Sequence, residues 1–111
     1  MTYDNENIFA KILRSEIPCE KVFEDEFIFS FKDINPKAKL HTLIIPKKPY
    51  IDVLDFLENA DADYQSNFWI SVNKIILKLD LKNKGFQIKT HKGKDGGQEV
   101  FHFHLHLLSD N

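Results

Sequence analysis

The sequence predicts an α+β fold, an antiparallel sheet of about five strands carrying one long and one short helix. Three observations predict it. Phe101 to Leu108 alternates apolar residues with histidines at 102, 104 and 106, the two-residue period of a half-buried strand. Asp61 to Leu81 carries Tyr64, Phe68, Val72, Ile75, Ile76 and Leu79 at steps of three and four, the period of an amphipathic helix. Elsewhere short β-prone runs are separated by turn residues.

Taken in order, Asp4 or Asn5 can cap a short helix whose apolar stripe is Ile8, Phe9, Ile12 and Leu13. Pro18 is expected to end it, because proline disfavours helical geometry at Ile17. Glu20 to Glu24 and Phe27 to Lys32 read as two strands joined through Asp25 and Glu26, with Phe27, Phe29 and Phe31 on one face of a half-buried hairpin. Asp33, Asn35 and Pro36 supply the turn after it. Leu40 to Ile45 is a third strand stopped by Pro46, and on it His41 shares a face with Leu43 and Ile45. Asp52 to Leu57 has room for one or two helical turns.

The long helix has Asp61 to cap its start, Lys78 and Lys82 to suit its negative end, and Gly85 to stop it. Trp69 widens its apolar stripe. It lacks the basic face of a membrane-surface helix, so packing on a sheet or a second subunit is expected. Phe86 to His91 reads as a fourth strand. Gly93-Lys94-Asp95-Gly96-Gly97 then forms a turn whose backbone N–H groups offer a nest for an anionic phosphate. It is no Walker loop, since the Gly-Lys-Ser/Thr ending is missing.

A chain of 111 residues is expected to form a single domain over residues 1–111 with a real core. Its 15 basic and 17 acidic residues leave a formal charge of −2, without the basic field that sequence-independent polynucleotide binding needs. No apolar run reaches the ~20 residues of a membrane span, and no signal peptide is visible, so a soluble cytoplasmic protein is expected. Cys19, the single cysteine, excludes an internal disulfide and reads as a packing residue.

Three imidazoles in a row are poor material for a merely solvated strand face, where Thr, Lys or Glu would serve. Metal ligation and catalysis remain. On a regular strand the Cα atoms of His102 and His106 stand roughly 13 Å apart, too far for both to reach one zinc at about 2.0–2.1 Å. Two neighbours of the row could hold zinc if His41 or His91 supplied a third ligand. Attack on an anionic phosphorus centre suits the row better. Histidine's unperturbed pKa of about 6.5 leaves a neutral nucleophile and a protonated donor both available at neutral pH.

His-x-His-x-His followed by two apolar residues resembles the signature of the histidine triad nucleotide hydrolases and transferases. The resemblance continues in Ile8-Phe9 and Lys11-Ile12, Ile17-Pro18, Phe23-Glu24-Asp25 and Phe31-Lys32-Asp33-Ile34-Asn35-Pro36. It extends through His41-Thr42-Leu43-Ile44-Ile45-Pro46-Lys47-Lys48 and Asp95-Gly96-Gly97-Gln98. Within the superfamily the chain is similar to the compact branch of purine nucleoside phosphoramidases, the histidine triad nucleotide-binding proteins.

That resemblance implies a homodimer that takes purine nucleotides. It makes His104 the nucleophile at the α-phosphorus, with His102 and His106 as helpers and His41 as a fourth histidine supporting them. It implies a base and ribose site from Ile8, Phe9, Phe31, Asp33 and Ile34, with Asp33 accepting from the ribose hydroxyls. His91, Gly97, Gln98 and Glu99 fall at or near the phosphate and ribose contacts. No metal or other cofactor is required by this scheme. At two of these positions the chain departs from the branch, which commonly has Asn where His91 stands and Ser where Glu99 stands. Two other readings stay open: dinucleoside polyphosphate hydrolysis, and nucleotide binding or scaffolding with little turnover.

Overall fold

The computed structural model describes residues 1–111. Five strands form one sheet in the order β1-β2-β3-β5-β4, and every neighbouring pair is antiparallel. They are β1 (Lys21–Glu24), β2 (Ile28–Lys32), β3 (Leu40–Pro46), β4 (Gln87–Lys89) and β5 (Leu105–Ser109). Helices α1 (Ile8–Leu13), α2 (Val53–Asn59) and α3 (Ala62–Lys78) complete the α+β architecture, with the Asp52–Leu57 turns realised as a short third helix.

Both faces of the sheet are covered, because β2 and β3 carry apolar side chains on both sides. On one face Ile28, Ile44, Leu105 and Leu107 pack with Phe56 of α2, Phe68, Val72 and Ile75 of α3, and Phe103. On the other, Phe31, Leu43 and Ile45 pack with Phe9 and Ile12 of α1, with Cys19 partly buried at the edge. The half-buried hairpin expected for β2 is therefore corrected. Ile28 and Ser30 are buried towards α3 while Phe29 and Phe31 face α1, and Phe27, outside the strand, edges the Tyr64 ring on the α3 side.

Both main helices end earlier than expected, for one reason. After α1, Ser15 takes a positive φ of 62°, Ser15 N–H donates to Ile12 O, and Glu16 N–H donates to Lys11 O. After α3, Asp80 takes φ 58°, Asp80 N–H donates to Leu77 O, and Leu81 N–H donates to Ile76 O. Both are Schellman closures built without glycine, so neither Pro18 nor Gly85 acts as the stop. The second closure turns Leu81 into the core, where it is 1% exposed. The caps are Asn7 for α1, in place of Asp4 or Asn5, and Asp61 for α3, each accepting from a backbone N–H three residues on.

The histidine row is only partly a strand. Residues 102–104 lack regular structure, and β5 begins at Leu105. The apolar alternation still holds, with Phe103, Leu105 and Leu107 all buried towards α3. Trp69, Ile70 and Leu77 lie exposed on the outer side of α3. No helix is long and apolar enough to cross a membrane.

Phe56 stacks on Phe103 with ring centroids 4.9 Å apart and meets Phe68 at 5.0 Å, all three fully buried. Phe56→Ala leaves a cavity between α2 and the segment entering β5, and urea unfolding is expected to show a loss of about 3–5 kcal/mol.

Candidate active site

A cavity of about 750 Å³ opens on the α1 side of the sheet. Strand register places the reactive side chains there. His106 pairs with Leu43 of β3 and with Lys89 of β4, while His41 pairs with Leu108, which makes His41 a diagonal neighbour of His106 on one face. Of the residues singled out by sequence, Ile8, Phe9, Phe31, Asp33, Ile34, His41, His91, Gly97, Glu99, His104 and His106 line this cavity. His102 and Gln98 do not.

The hydrogen bonds assign the tautomers, because His104 and His41 each have a backbone partner whose role is fixed and His41 in turn fixes His106. His104 Nδ1 lies 2.7 Å from the His102 carbonyl oxygen, which only accepts. Nδ1 therefore carries the proton, and the lone pair of neutral His104 is on Nε2. The Lys37 backbone N–H donates to His41 Nδ1 at 3.0 Å, so neutral His41 is protonated on Nε2. That atom is 2.9 Å from His106 Nδ1 and 3.4 Å from Asp33 Oδ2. His106 Nδ1 thus accepts, and His106 keeps its proton on Nε2. The resting site holds a lone pair on one ring and an N–H on the next, with ring centroids 5.1 Å apart.

His102 sits behind the cavity, 0% exposed, and its role differs from that of its neighbours. Its Nε2–H donates to the Pro46 carbonyl at 2.9 Å, and its Nδ1 accepts from the Tyr3 hydroxyl at 2.6 Å. Both nitrogens are occupied. What His102 offers to the site is its backbone carbonyl, so it is a positioning residue for His104. A row sharing one face could not predict this, because the chain bends before β5 and turns His102 inward.

The expected protonated donor is not stored in the resting site. Burial lowers the pKa of His102 to about 4 and also lowers that of His104. His106 is lowered to about 4, first by burial and then by the charges of His104, His41 and His91 around it. Burial lowers His41 as well, against the pull of Asp33. Four imidazoles crowded against an apolar cluster stay neutral at pH 7.

Gln98 also belongs behind the cavity. Its Oε1 accepts from Gly93 N–H, and its Nε2 donates to the carbonyls of Ile51 and Val100. The glycine turn it braces is not the open nest expected. Gly96, Gly97 and Gln98 all donate their backbone N–H groups to carbonyls within the turn. Gly97, at φ 88°, instead lets the chain pass close to His91, where an added Cβ would lie 3.4 Å from Nδ1. Ile34 is 90% exposed at the mouth, whereas Phe9 is buried with its ring 4.9 Å from that of His104 and 5.4 Å from that of Phe31.

One trio has the spacing of metal ligands. The ligand atoms of Asp33, His41 and His106 all lie within 4.8 Å of one another. An ion there would displace the proton that His41 Nε2 gives to His106. The row itself contributes one ligand to that trio, in contrast to the two the zinc reading assumed. Sequence reading missed Tyr3, Lys37 and Lys89, whose only signal is three-dimensional.

The family description HIT domain matches residues 14–111. The chain belongs to the HIT family. It is 41% identical over 106 residues to an uncharacterised HIT-like protein of Rickettsia prowazekii, covering 96% of this chain and 88% of the relative. A Helicobacter pylori HIT-like protein is 43% identical over 103 residues, covering 93% and 95%. Among solved structures, a HIT family hydrolase from Clostridium thermocellum superposes with TM-score 0.84 at 36% identity, covering 95% of this chain and 90% of that one. The histidine triad nucleotide-binding protein of Candida albicans gives TM-score 0.78 at 37% identity, covering 92% and 73%. The fold and the family expected from sequence are thereby shown.

The burial of His102 makes this HIT domain acid-sensitive. An unfolded histidine titrates near pH 6.5 and the folded one at about 4, so between these values the unfolded chain binds more protons. Stability is complete above pH 6.5 and falls as pH drops towards 4, with His102 alone accounting for roughly 3 kcal/mol. Urea midpoints measured from pH 7.5 to 4 are expected to follow that slope.

Proposed function

We propose that this HIT protein is a cytoplasmic nucleotide hydrolase that cleaves purine nucleoside phosphoramidates at the α-phosphorus through a nucleotidyl-His104 intermediate. The observation that carries the reading is the bond from His104 Nδ1 to the His102 carbonyl, which leaves the Nε2 lone pair as the nucleophile. Hydrolase and nucleotide-binding descriptions of the Clostridium and Candida relatives support it.

In the first step His104 Nε2 bonds to phosphorus and the P–N bond to the amine breaks. The amine departs with that electron pair and takes one proton. His106 Nε2–H, on the ring next to His104, delivers it in this reading. A negatively charged phosphate entering the cavity opposes the desolvation that keeps His106 neutral, so substrate binding recruits the needed proton from solvent. His41 Nε2–H then has a second acceptor in Asp33 Oδ2. In the second step water adds to phosphorus, the bond to His104 breaks, and the nucleoside monophosphate and a proton are released.

Phe9, Phe31 and Ile8 supply apolar surface for the base, with Ile34 at its outer edge, and Asp33 supplies acceptors for ribose. His91 and Gly97 wall the phosphate end. The exposed apolar side chains Trp69, Ile70 and Leu77 on α3 support a homodimer.

His104→Gly is expected to lower hydrolysis of adenosine 5′-phosphoramidate by at least about a thousandfold. Mass spectrometry after acid-free quenching should map a nucleotidyl adduct to His104 in the wild type; unchanged turnover in the variant overturns the reading. Glu99 lines the cavity and its charge acts on His104. A carboxylate there repels substrate phosphate, so Glu99→Ser is expected to raise kcat/KM several-fold in the same assay.

A further inference from the structure

We infer that the leaving group of the physiological substrate is itself anionic, and that Lys89 and Lys37 select it. The inference rests on the nucleotidyl-transfer reading above and deepens it by naming the chemistry of the departing half.

Lys89 is the cross-strand partner of His106 in the β4–β5 pair, so their side chains leave the sheet side by side on one face. Lys37 lies beside the neighbouring histidine, since its backbone N–H holds His41 Nδ1. Both lysines line the catalytic cavity. Both also line a second cavity of about 380 Å³, which continues past the catalytic one along β4 and the end of β5 and shares Leu108 with it. The other lysines near the site differ in being occupied. Lys32 is paired with Glu20 at 2.6 Å, and Lys92 lies 3.9 Å from Asp52. Neither Lys37 nor Lys89 has a carboxylate within ion-pair distance, although an acidic residue, Asp110, lines the same second cavity and accepts from Lys39 N–H instead.

The chemistry follows from the position. His106 stands where the departing nitrogen or oxygen must pick up its proton, and the atoms bonded to that leaving atom extend away from the nucleotide. Next to His106 on that face stands Lys89, which with Lys37 borders both the catalytic cavity and the second one, so two unpaired ammonium groups lie where the cavities adjoin. A carboxylate or phosphate carried by the leaving group is attracted there, whereas an ammonium is repelled. The same charges act on the imidazoles, since Lys89 and Lys37 both lower His41. The first bond-making step is unchanged: His104 Nε2 bonds to phosphorus, and the leaving atom departs with the electron pair and one proton. The lysines add attraction for what leaves.

The test compares kcat/KM for adenosine 5′-phosphoramidates of three amines of similar length, β-alanine, propylamine and 1,3-diaminopropane, of which the last has the least basic reacting amine and on that ground alone would leave most readily. Diadenosine triphosphate is a fourth substrate, whose leaving group carries phosphate in place of carboxylate. The expected order is anionic over neutral over cationic, with β-alanine favoured over diaminopropane by roughly tenfold or more at low salt. Lys89→Gln is expected to compress that ratio about fivefold, Lys37→Gln to compress it further, and added salt to do the same in the wild type. The comparison with diadenosine triphosphate tells which anion the second cavity takes. Equal or cation-favouring rates in the wild type overturn the inference while leaving the nucleotidyl reading intact, as does an unchanged ratio in the double variant. No turnover of any of the four substrates overturns both.

Discussion

A single carbonyl oxygen governs the chemistry open to this site. The His102 carbonyl takes the Nδ1 proton of His104, and the remaining nitrogen of that ring is left with its lone pair and no partner within the protein. The carbonyl is held because His102 is pinned from both sides, by the Pro46 carbonyl at the end of β3 and by the Tyr3 hydroxyl from the opposite end of the chain. A chain of backbone and side-chain contacts thus decides which nitrogen of His104 keeps its lone pair. The second chain, Lys37 N–H to His41 to His106, orients the neighbouring ring by the same logic and leaves an N–H on it.

Desolvation then sets the protonation state of the assembly. Each imidazole borders apolar surface from Phe9, Phe31 or Leu43 and lies near another imidazole, so no ring can hold a proton without a compensating negative charge. The protein supplies little of it inside, since Asp33 is the only carboxylate within 4 Å of the group. In the proposed reaction it is the substrate phosphate that supplies what is lacking. On that proposal substrate and proton arrive together, and the site, neutral when empty, becomes an acid only when there is something to protonate.

The two-sided sheet makes this arrangement affordable in structural terms. Ile44, Leu105 and Leu107 anchor the central strands against α2 and α3, which frees the opposite face of the same strands to carry His41, Leu43 and His106 into the cavity. The HIT-family frame is common ground with the relatives. Glu99 and the unpaired lysines on β4 and after β2 set the electrostatics around the site in this chain.

The sequence by itself determined the α+β class, the strands from Lys21 to Pro46, the long helix, and a row of three histidines with His104 at its centre. These features are written in periodicity and turn chemistry, which act over a few residues. It also placed Phe9, Phe31, Asp33 and His41 with the row, through their resemblance to a family pattern. Helix ends were legible only in part, because Ser15 and Asp80 take positive φ in closures for which glycine is the usual signal. What the tertiary structure alone decided is the division of labour among the histidines. Tyr3 meets His102 across 99 residues of chain, and His41 meets His106 across 65, and a proton's location depends on such partners. Periodicity shows which side chains share a face; a tautomer is set by the atom a nitrogen meets, and only the folded chain brings that atom within reach.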